Sequence, residues 1–488
     1  MLNRRHFLGL SGIAAGTGVL LPVGALTAGQ PAPPAQAPPG PAGRAAGPFS
    51  VRMPVPPTLG PVARTGDTDI YHLDILPADL ELLPGVLTSC LTFGGSFVGP
   101  TIRAREGRRV QITYRNRLPE AANVHLHGGH VPADSDGHPM QLIDPGSERR
   151  YEYPNRQPGT TLWYHDHSHH AEADHVYRGM HAFYLIEGAD EHRYHLPRDE
   201  YDVPIAIRDA QFDADGRLVH GDPPNRNVIL VNGRPKPYFP VAARRYRLRL
   251  LNSSTLRFLK LNFGPLPVLQ IGSDGGLLPA PIDRTGTDFP LAAGERVDLV
   301  VDFSGQPVGS RFMLTNQGQF TGNDQIEPVL RFDVNRTARD SGRVPDRLRP
   351  LPGLPPATVN REVKLSFDLT GQPIGLIDGR PFDADRVDQR IRRGATEIWT
   401  ITNGDVATKY GPIQHSFHLH MTQFRVLDRD GRPPLPGDAG LKDTIPLPPG
   451  TSVRVQATFA DYLGRYVYHC HMLEHSSAGM MGQMEIVD

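Results

Sequence analysis

Apolar and polar positions alternate with a period of two along much of this chain. From Arg109 to Leu118 the apolar side chains Val110, Ile112 and Tyr114 fall on one face. Tyr246-Arg247-Leu248-Arg249-Leu250, Arg296 to Phe303 and Ser452 to Phe459 repeat the pattern. Such runs, bounded by glycine and proline, predict half-buried strands of antiparallel sandwiches. Val231-Asn232-Gly233-Arg234 predicts a tight hairpin turn between two of them. Runs with a period of 3.6 are scarce, so the expected helices are few and short. The basic stretch Arg244-Arg245-Tyr246-Arg247 is expected on a solvated strand face.

The chain also repeats itself. Gly159 to His167 reads GTTLWYHDH, and Gly464 to His471 reads GRYVYHCH. Each is followed by a loop, then Gly179-Met180 or Gly479-Met480, then a terminal strand pattern. Asp166 stands where Cys470 stands. Asn123-Val124-His125-Leu126-His127 is echoed by His415-Ser416-Phe417-His418-Leu419-His420. The first and last thirds therefore read as two copies of one sandwich. No histidine occurs between His220 and His415, and that strand-patterned middle third is expected to be a sandwich without metal. The expected divisions are a leader over 1–47 and three domains over 48–194, 195–350 and 351–488.

A length of 488 residues fits two to four domains and large buried cores. The 51 basic and 52 acidic side chains nearly cancel, which removes the electrostatic case for a nucleic-acid partner. No stretch beyond the N-terminus is long and apolar enough to predict a membrane span. Arg4-Arg5 before Phe7-Leu8 and a small, moderately apolar run resembles a twin-arginine export signal, with an ordinary secretory leader as the alternative. The expected location is periplasmic or extracellular, reached through the twin-arginine export machinery. The two cysteines, Cys90 and Cys470, would pair as a disulfide in many exported proteins. The histidines around Cys470 argue instead that its sulfur is committed to metal, leaving Cys90 a buried lone thiol.

Four histidine clusters carry the candidate chemistry: His125-Leu126-His127, His165-Asp166-His167, His415 to His420, and His469-Cys470-His471 followed by His475 and Met480. Along a strand, neighbouring side chains point to opposite faces, so Cys470 faces one way and His469 and His471 the other. A thiolate, imidazoles and a thioether form the soft ligand set of a blue-copper electron-transfer site. Imidazoles at i and i+2 share a face, about 6.6–6.8 Å apart along a strand, a spacing that serves two neighbouring metals. One short strand would thus wire a blue copper to a second metal centre.

These motifs resemble the four copper-binding motifs of the multicopper oxidases, over roughly residues 60–488. HLHGG at His125 to Gly129 and YHDH at Tyr164 to His167 are most similar to the three-domain bacterial laccase and bilirubin-oxidase branch. The resemblance implies an all-β chain of three cupredoxin-like Greek-key β-sandwich domains and four copper ions. It implies a type 1 copper held by His415, Cys470 and His475 with Met480 axial, Met481 being the alternative sulfur. It implies a type 2 copper on His125 and His418, and a type 3 pair on His127, His165, His167, His420, His469 and His471. Electrons would enter through His475, pass through Cys470 to His469 and His471, and reduce dioxygen to water.

The same resemblance makes Asp136, in Asp134-Ser135-Asp136-Gly137, an acidic residue near the cluster; its plain reading is a turn aspartate before glycine. In the laccase-like branch a glutamate usually follows the last type 1 histidine and feeds protons. Here that position is Ser476, and Glu474 lies on the other side of His475. The expected reductant is a phenol or aromatic amine, with substrate loops such as Thr422 to Leu441. The competing reductant is a cuprous or ferrous ion, against which stands the lack of a methionine-rich run among the ten methionines. A copper-free scaffold of the same fold is the third reading. His130, His138, His169, His170, His175 and His181 are expected to be solvated loop histidines.

Overall fold

The computed structural model describes residues 47–318 and 326–488. Apart from Gly47, the expected leader over 1–47 lies outside the described residues. Three pairs of β-sheets follow one another, drawn from residues 63–187, 202–337 and 359–487. Two α-helices occur among the described residues, α1 (Glu172–Tyr177) and α2 (Leu473–Ser477). Each sheet pair closes on its own apolar core: Ile75, Ile112, Tyr164 and Tyr184 in the first, Ile205, Leu248, Leu299 and Phe332 in the second, Trp399, Phe417, Val455 and Tyr468 in the third. Alternation creates these cores, because every second side chain of a strand meets the facing sheet.

The sheets are mixed rather than purely antiparallel. Thr68–Leu83 runs parallel to Arg109–Asn116, Asp202–Ala210 to Arg245–Asn252, and Val359–Asp368 to Thr396–Asn403. The same crossing recurs in all three sandwiches because connections pass between the two sheets before returning. The hairpin turn forms as expected: Val231 pairs with Arg234, and Asn232 and Gly233 both adopt positive φ. Cys90 is a buried free thiol among Phe97, Trp163 and Leu251, at the seam between the first two sandwiches.

The solvated face expected for Arg244 to Arg247 is not what forms. Arg244 and Arg245 are half-buried, and Arg247 and Arg249 are buried against the first sandwich. Arg249 holds Asp202 through two nitrogens at 2.6 and 3.0 Å, and Arg247 holds Asp298 at 2.5 Å. The Thr161 hydroxyl of the first sandwich donates to Asp298 at 2.7 Å and accepts from Arg249 at 2.8 Å. A polar stripe can face a salt-bridged seam as well as water, and the alternation is identical. Strand Arg296–Asp302 is buried on both faces for the same reason.

This seam makes a prediction. Burial alone would raise the Asp202 carboxyl, but Arg249, Arg247 and Arg103 outweigh it and hold the group well below the usual carboxylate range. A carboxyl lowered by folding adds stability above its unfolded pKa of about 3.9, and that contribution disappears as pH falls through the folded value. Asp202→Asn is therefore expected to cost about 3–5 kcal/mol at neutral pH, because Arg249 stays buried without its nearer carboxylate. It keeps only Asp298, at 3.3 Å. Denaturant melts of both proteins check this: the gap should hold down to about pH 4 and narrow below it.

Candidate metal centre

Strand His415–Leu419 lies between Gly464–Cys470 and Thr444–Leu447, with Phe417 opposite Cys470 and His418 opposite His469. Cross-strand partners share a face. His418 and His469 therefore look one way, and Phe417 and Cys470 the other. In the first sandwich, His125–His127 pairs with Thr160–His165, setting His125 opposite His165.

On the cysteine face, His415 Nδ1 and His475 Nδ1 each lie 3.6 Å from Cys470 Sγ and 3.2 Å from one another. Asp405 Oδ2 accepts from His415 Nε2 at 3.0 Å, which leaves Nδ1 as the donor atom for a metal. His415 and Cys470 are fully buried, while His475 keeps 5 % of its surface exposed. Phe367 sets its ring edge-on to His475 at 4.8 Å. Burial pushes the Cys470 thiol up to about 12, so a cation must displace its proton. Met480 is buried beside this group, and its carbonyl accepts from the Cys470 N–H at 3.1 Å. Met481 is opposite His469 in the sheet, on the other face, so Met480 is the methionine on the sulfur side.

On the opposite face the eight expected imidazoles meet between the first and third sandwiches. His125 stacks on His420 and His127 on His418, both at 3.7 Å between ring centres. His167 and His420 each place Nε2 3.2 Å from His469 Nε2. His165 and His471 complete the group, 5.5 Å apart. Paired i and i+2 rings approach to 4.9–5.8 Å, closer than their strand spacing, because they lean inward.

Most of these rings are anchored from behind. His125 donates Nδ1–H to the Asp136 carbonyl at 2.6 Å, His165 to the Asp166 carbonyl at 2.8 Å, His418 to the Asp443 carbonyl at 2.8 Å, and His469 to the Cys470 carbonyl at 3.0 Å. Asp136 Oδ2 accepts from His420 Nδ1 at 2.7 Å, and Glu172 Oε2 sits 2.7 Å from His167 Nδ1. These anchors turn six Nε2 atoms inward. His127 is reversed: its Nε2 meets Asp443 and Thr444, each at 3.0 Å, and its Nδ1 faces in. His471 lies against Gly294, where an added Cβ would come within 2.6 Å of Nδ1.

Burial holds seven of the eight imidazoles below their ordinary pKa, His165 and His469 at about 3. They are neutral, the form that ligates metal. Burial also opposes charge on His167, but Glu172 outweighs it and raises that ring. Buried Nε2 atoms of His125, His165, His418 and His471 and Nδ1 of His127 have no hydrogen-bond partner. Unpaired buried nitrogens are costly, and so many converging on one space fit transition-metal cations. Copper suits both donor sets: imidazoles alone on one side, imidazoles with a thiolate on the other.

Asp136 is fully buried behind His420 and His125, and burial pushes its carboxyl up to about 8. Glu474 turns away, held by Arg226 at 2.8 Å, His220 at 3.1 Å and the Thr255 hydroxyl at 2.8 Å, all from the second sandwich. Within the segment Thr422 to Leu441, Gln423 and Leu441 lie against Gly275, and Gly440 against Ser273. Gly375, Pro381 and Phe382 border the His475 loop, with the Gly375 and Phe382 N–H groups bonded to the Ala478 and Gly479 carbonyls.

The repeat extends further than the motifs suggested. Asp166 N–H bonds the Met180 carbonyl as Cys470 N–H bonds that of Met480, and the Met180 N–H donates to the His175 carbonyl as the Met480 N–H does to that of His475. His175 thus stands where His475 stands, and His181, opposite His165, where Met481 stands. In the first sandwich an ion pair, Asp166 to His175 at 3.2 Å, fills the corner that holds Cys470 and His475 in the third.

The extra histidines are consequently not all solvated. His138, His175 and His181 are buried, His130 and His169 half-buried, and His170 exposed. Several tie the first sandwich to the third: His138 donates to Gln483 at 2.8 Å, His130 to the Met421 carbonyl at 2.9 Å, and His170 to the Ser477 carbonyl at 2.9 Å. Sequence reading missed Asp405, Asp443, Arg296 and Glu172, which carry no local signal. It could have found His175 and His181 by aligning the repeat on Gly179-Met180.

A sequence family described as multicopper oxidase matches residues 77–191, and a second of the same description matches 354–488. A laccase of Bacillus stratosphericus is 35% identical over 90% of this chain and 99% of its own. A bilirubin oxidase of Albifimbria verrucaria is 32% identical over 89% and 80%. The crystal structure of a laccase from Pediococcus acidilactici superposes with a TM-score of 0.82, at 30% identity, over 91% of this chain and 95% of that one. With three cupredoxin-like sandwiches and two converging histidine-rich groups, the chain belongs to the multicopper oxidases, in their laccase-like branch.

Proposed function

We propose that this oxidase takes electrons singly from phenols or aromatic amines and delivers them to dioxygen, using four copper ions. His415, Cys470, His475 and Met480 would hold the type 1 ion. His125 and His418 would hold the type 2 ion, and His127, His165, His167, His420, His469 and His471 the type 3 pair. Copper on the cysteine face supplies one-electron oxidation, and copper on the opposite face supplies four-electron reduction of dioxygen to water. One observation carries the reading: the sulfur that lies 3.6 Å from two imidazole nitrogens belongs to a residue whose two chain neighbours both enter the eight-histidine group.

The protein's own groups divide the work. His475, buried but for 5 % of its surface and set beside Phe367, is the ligand through which a reductant's electron would enter. The backbone from Cys470 to His469 and His471 is the shortest covalent route between the two faces. Asp136 holds a proton within hydrogen-bond reach of His420. Glu474 takes no part in proton delivery, because three second-sandwich groups occupy it. Export by the Arg4-Arg5 leader belongs to the same proposal; replacing both with lysine should trap the enzyme inside cells, as fractionation would show.

The deciding experiment loads the purified chain with copper, then compares turnover of a phenolic dye with that of cuprous ion. The reading expects a blue protein with about four coppers per chain and a preference for the dye. A strong cuprous preference would replace the aromatic reductant with a metal ion, and a colourless protein would remove the oxidase reading itself.

A further inference from the structure

Of the eight converging imidazoles, His167 is the one whose anchor is a glutamate from a helix. Glu172 begins α1, five residues beyond His167, and is fully buried. A carboxylate withdrawn from water is costly unless a partner compensates it. Its closest partner is His167 Nδ1 at 2.7 Å; the Ser477 hydroxyl of α2 makes a long contact at 3.5 Å. The helices pack through Ala173, Val176 and Leu473, so the carboxylate is clamped between α1 and the helix that carries His475. On its far side, His167 Nε2 meets His469 Nε2 at 3.2 Å, as does His420 Nε2. His420 and His469 have their own anchors in Asp136 and the Cys470 carbonyl.

We propose that Glu172 is a positioning residue for the metal held by His167, His420 and His469: it keeps the proton on His167 Nδ1 and aims Nε2 at that metal. This rests on the copper-oxidase reading above. Carboxylate–histidine–metal arrangements fix ring orientation and tautomer and raise ligand basicity, and losing the outer partner typically weakens metal binding about 10–100-fold.

The test uses the full chain as Glu172→Gln and Glu172→Met, stripped of copper and reloaded against a competing chelator. Glutamine keeps the size and one acceptor; methionine keeps the size alone. The expected result is affinity for the histidine-bound copper about tenfold weaker with glutamine and about a hundredfold weaker with methionine. The near-ultraviolet absorption of that copper pair should change while the blue colour at Cys470 stays. If Glu172→Met does not fold, Glu172→Gln decides alone. Variant affinities and spectra equal to those of the unmodified chain overturn the proposal. Failure of the unmodified chain to bind copper overturns the functional reading, and this one with it.

Discussion

Cys470→Ser is expected to yield a folded, colourless protein with no measurable oxidase turnover. The hydroxyl nearly matches the thiol in size, and its neighbours His415 Nδ1 and His475 Nδ1 can accept from it, so the core around Phe417 and Tyr468 stays filled. A buried hydroxyl with imperfect partners costs about 1–3 kcal/mol, which a chain of three cored sandwiches tolerates. The chemistry does not survive. A neutral alcohol lacks the soft charge that makes a blue copper site, and it no longer couples that metal to His469 and His471. Metal analysis should find one copper fewer, with the histidine-held ions still bound. Visible absorption and dye turnover check the rest. Retained blue colour would mean that the sulfur is not the ligand.

Arg296→Met is expected to cost the chain at least as much stability as Asp202→Asn, and to weaken copper binding as well. Arg296 is fully buried where all three sandwiches meet. It donates to the Thr161 carbonyl of the first at 3.0 Å, to the Gly294 carbonyl of its own sandwich at 3.0 Å, and to both Asp443 oxygens of the third at 2.5 and 2.7 Å. Asp274 lies 3.5 Å away. Methionine fills part of the volume and leaves Asp443 without its guanidinium partner, while Asp274 keeps Lys442, whose Nζ is 3.0 Å away and also pairs with Glu295. Removing one partner of a buried pair costs about 3–5 kcal/mol. Asp443 also anchors His127 and His418, so copper affinity should fall with stability. Denaturant unfolding of metal-free and copper-loaded protein measures the two losses separately. An unchanged midpoint in the metal-free protein would show that the keystone role is wrong.

The candidate ligands were legible because metal chemistry restricts residue type and strand geometry restricts spacing. His-x-His and His-Cys-His keep their faces wherever the strand is placed. The internal repeat gave the two matching sandwiches for a similar reason. The anchors were not legible. Asp443, Asp405 and Glu172 sit in ordinary surroundings, and their roles appear once segments far apart in sequence are packed together. The arginine strand Arg245–Asn252 misled in an instructive way: alternation reports that a face is polar, not whether water or a carboxylate meets it. His175 read as a solvated loop residue because it keeps no clean His-x-His spacing on a strand, and its partner, Asp166, lies nine residues earlier on the other side of a turn.

That ion-paired corner bears on how the molecule matures. Asp166 and His175 carry opposite charges that attract as soon as the chain condenses. The equivalent corner has the neutral Cys470 thiol in place of the aspartate, and its sulfur and the His475 ring are drawn together fully when a metal arrives. The early half can therefore serve as a finished mould against which the late half is cast, so that nascent chains starved of copper fail at their C-terminal end first.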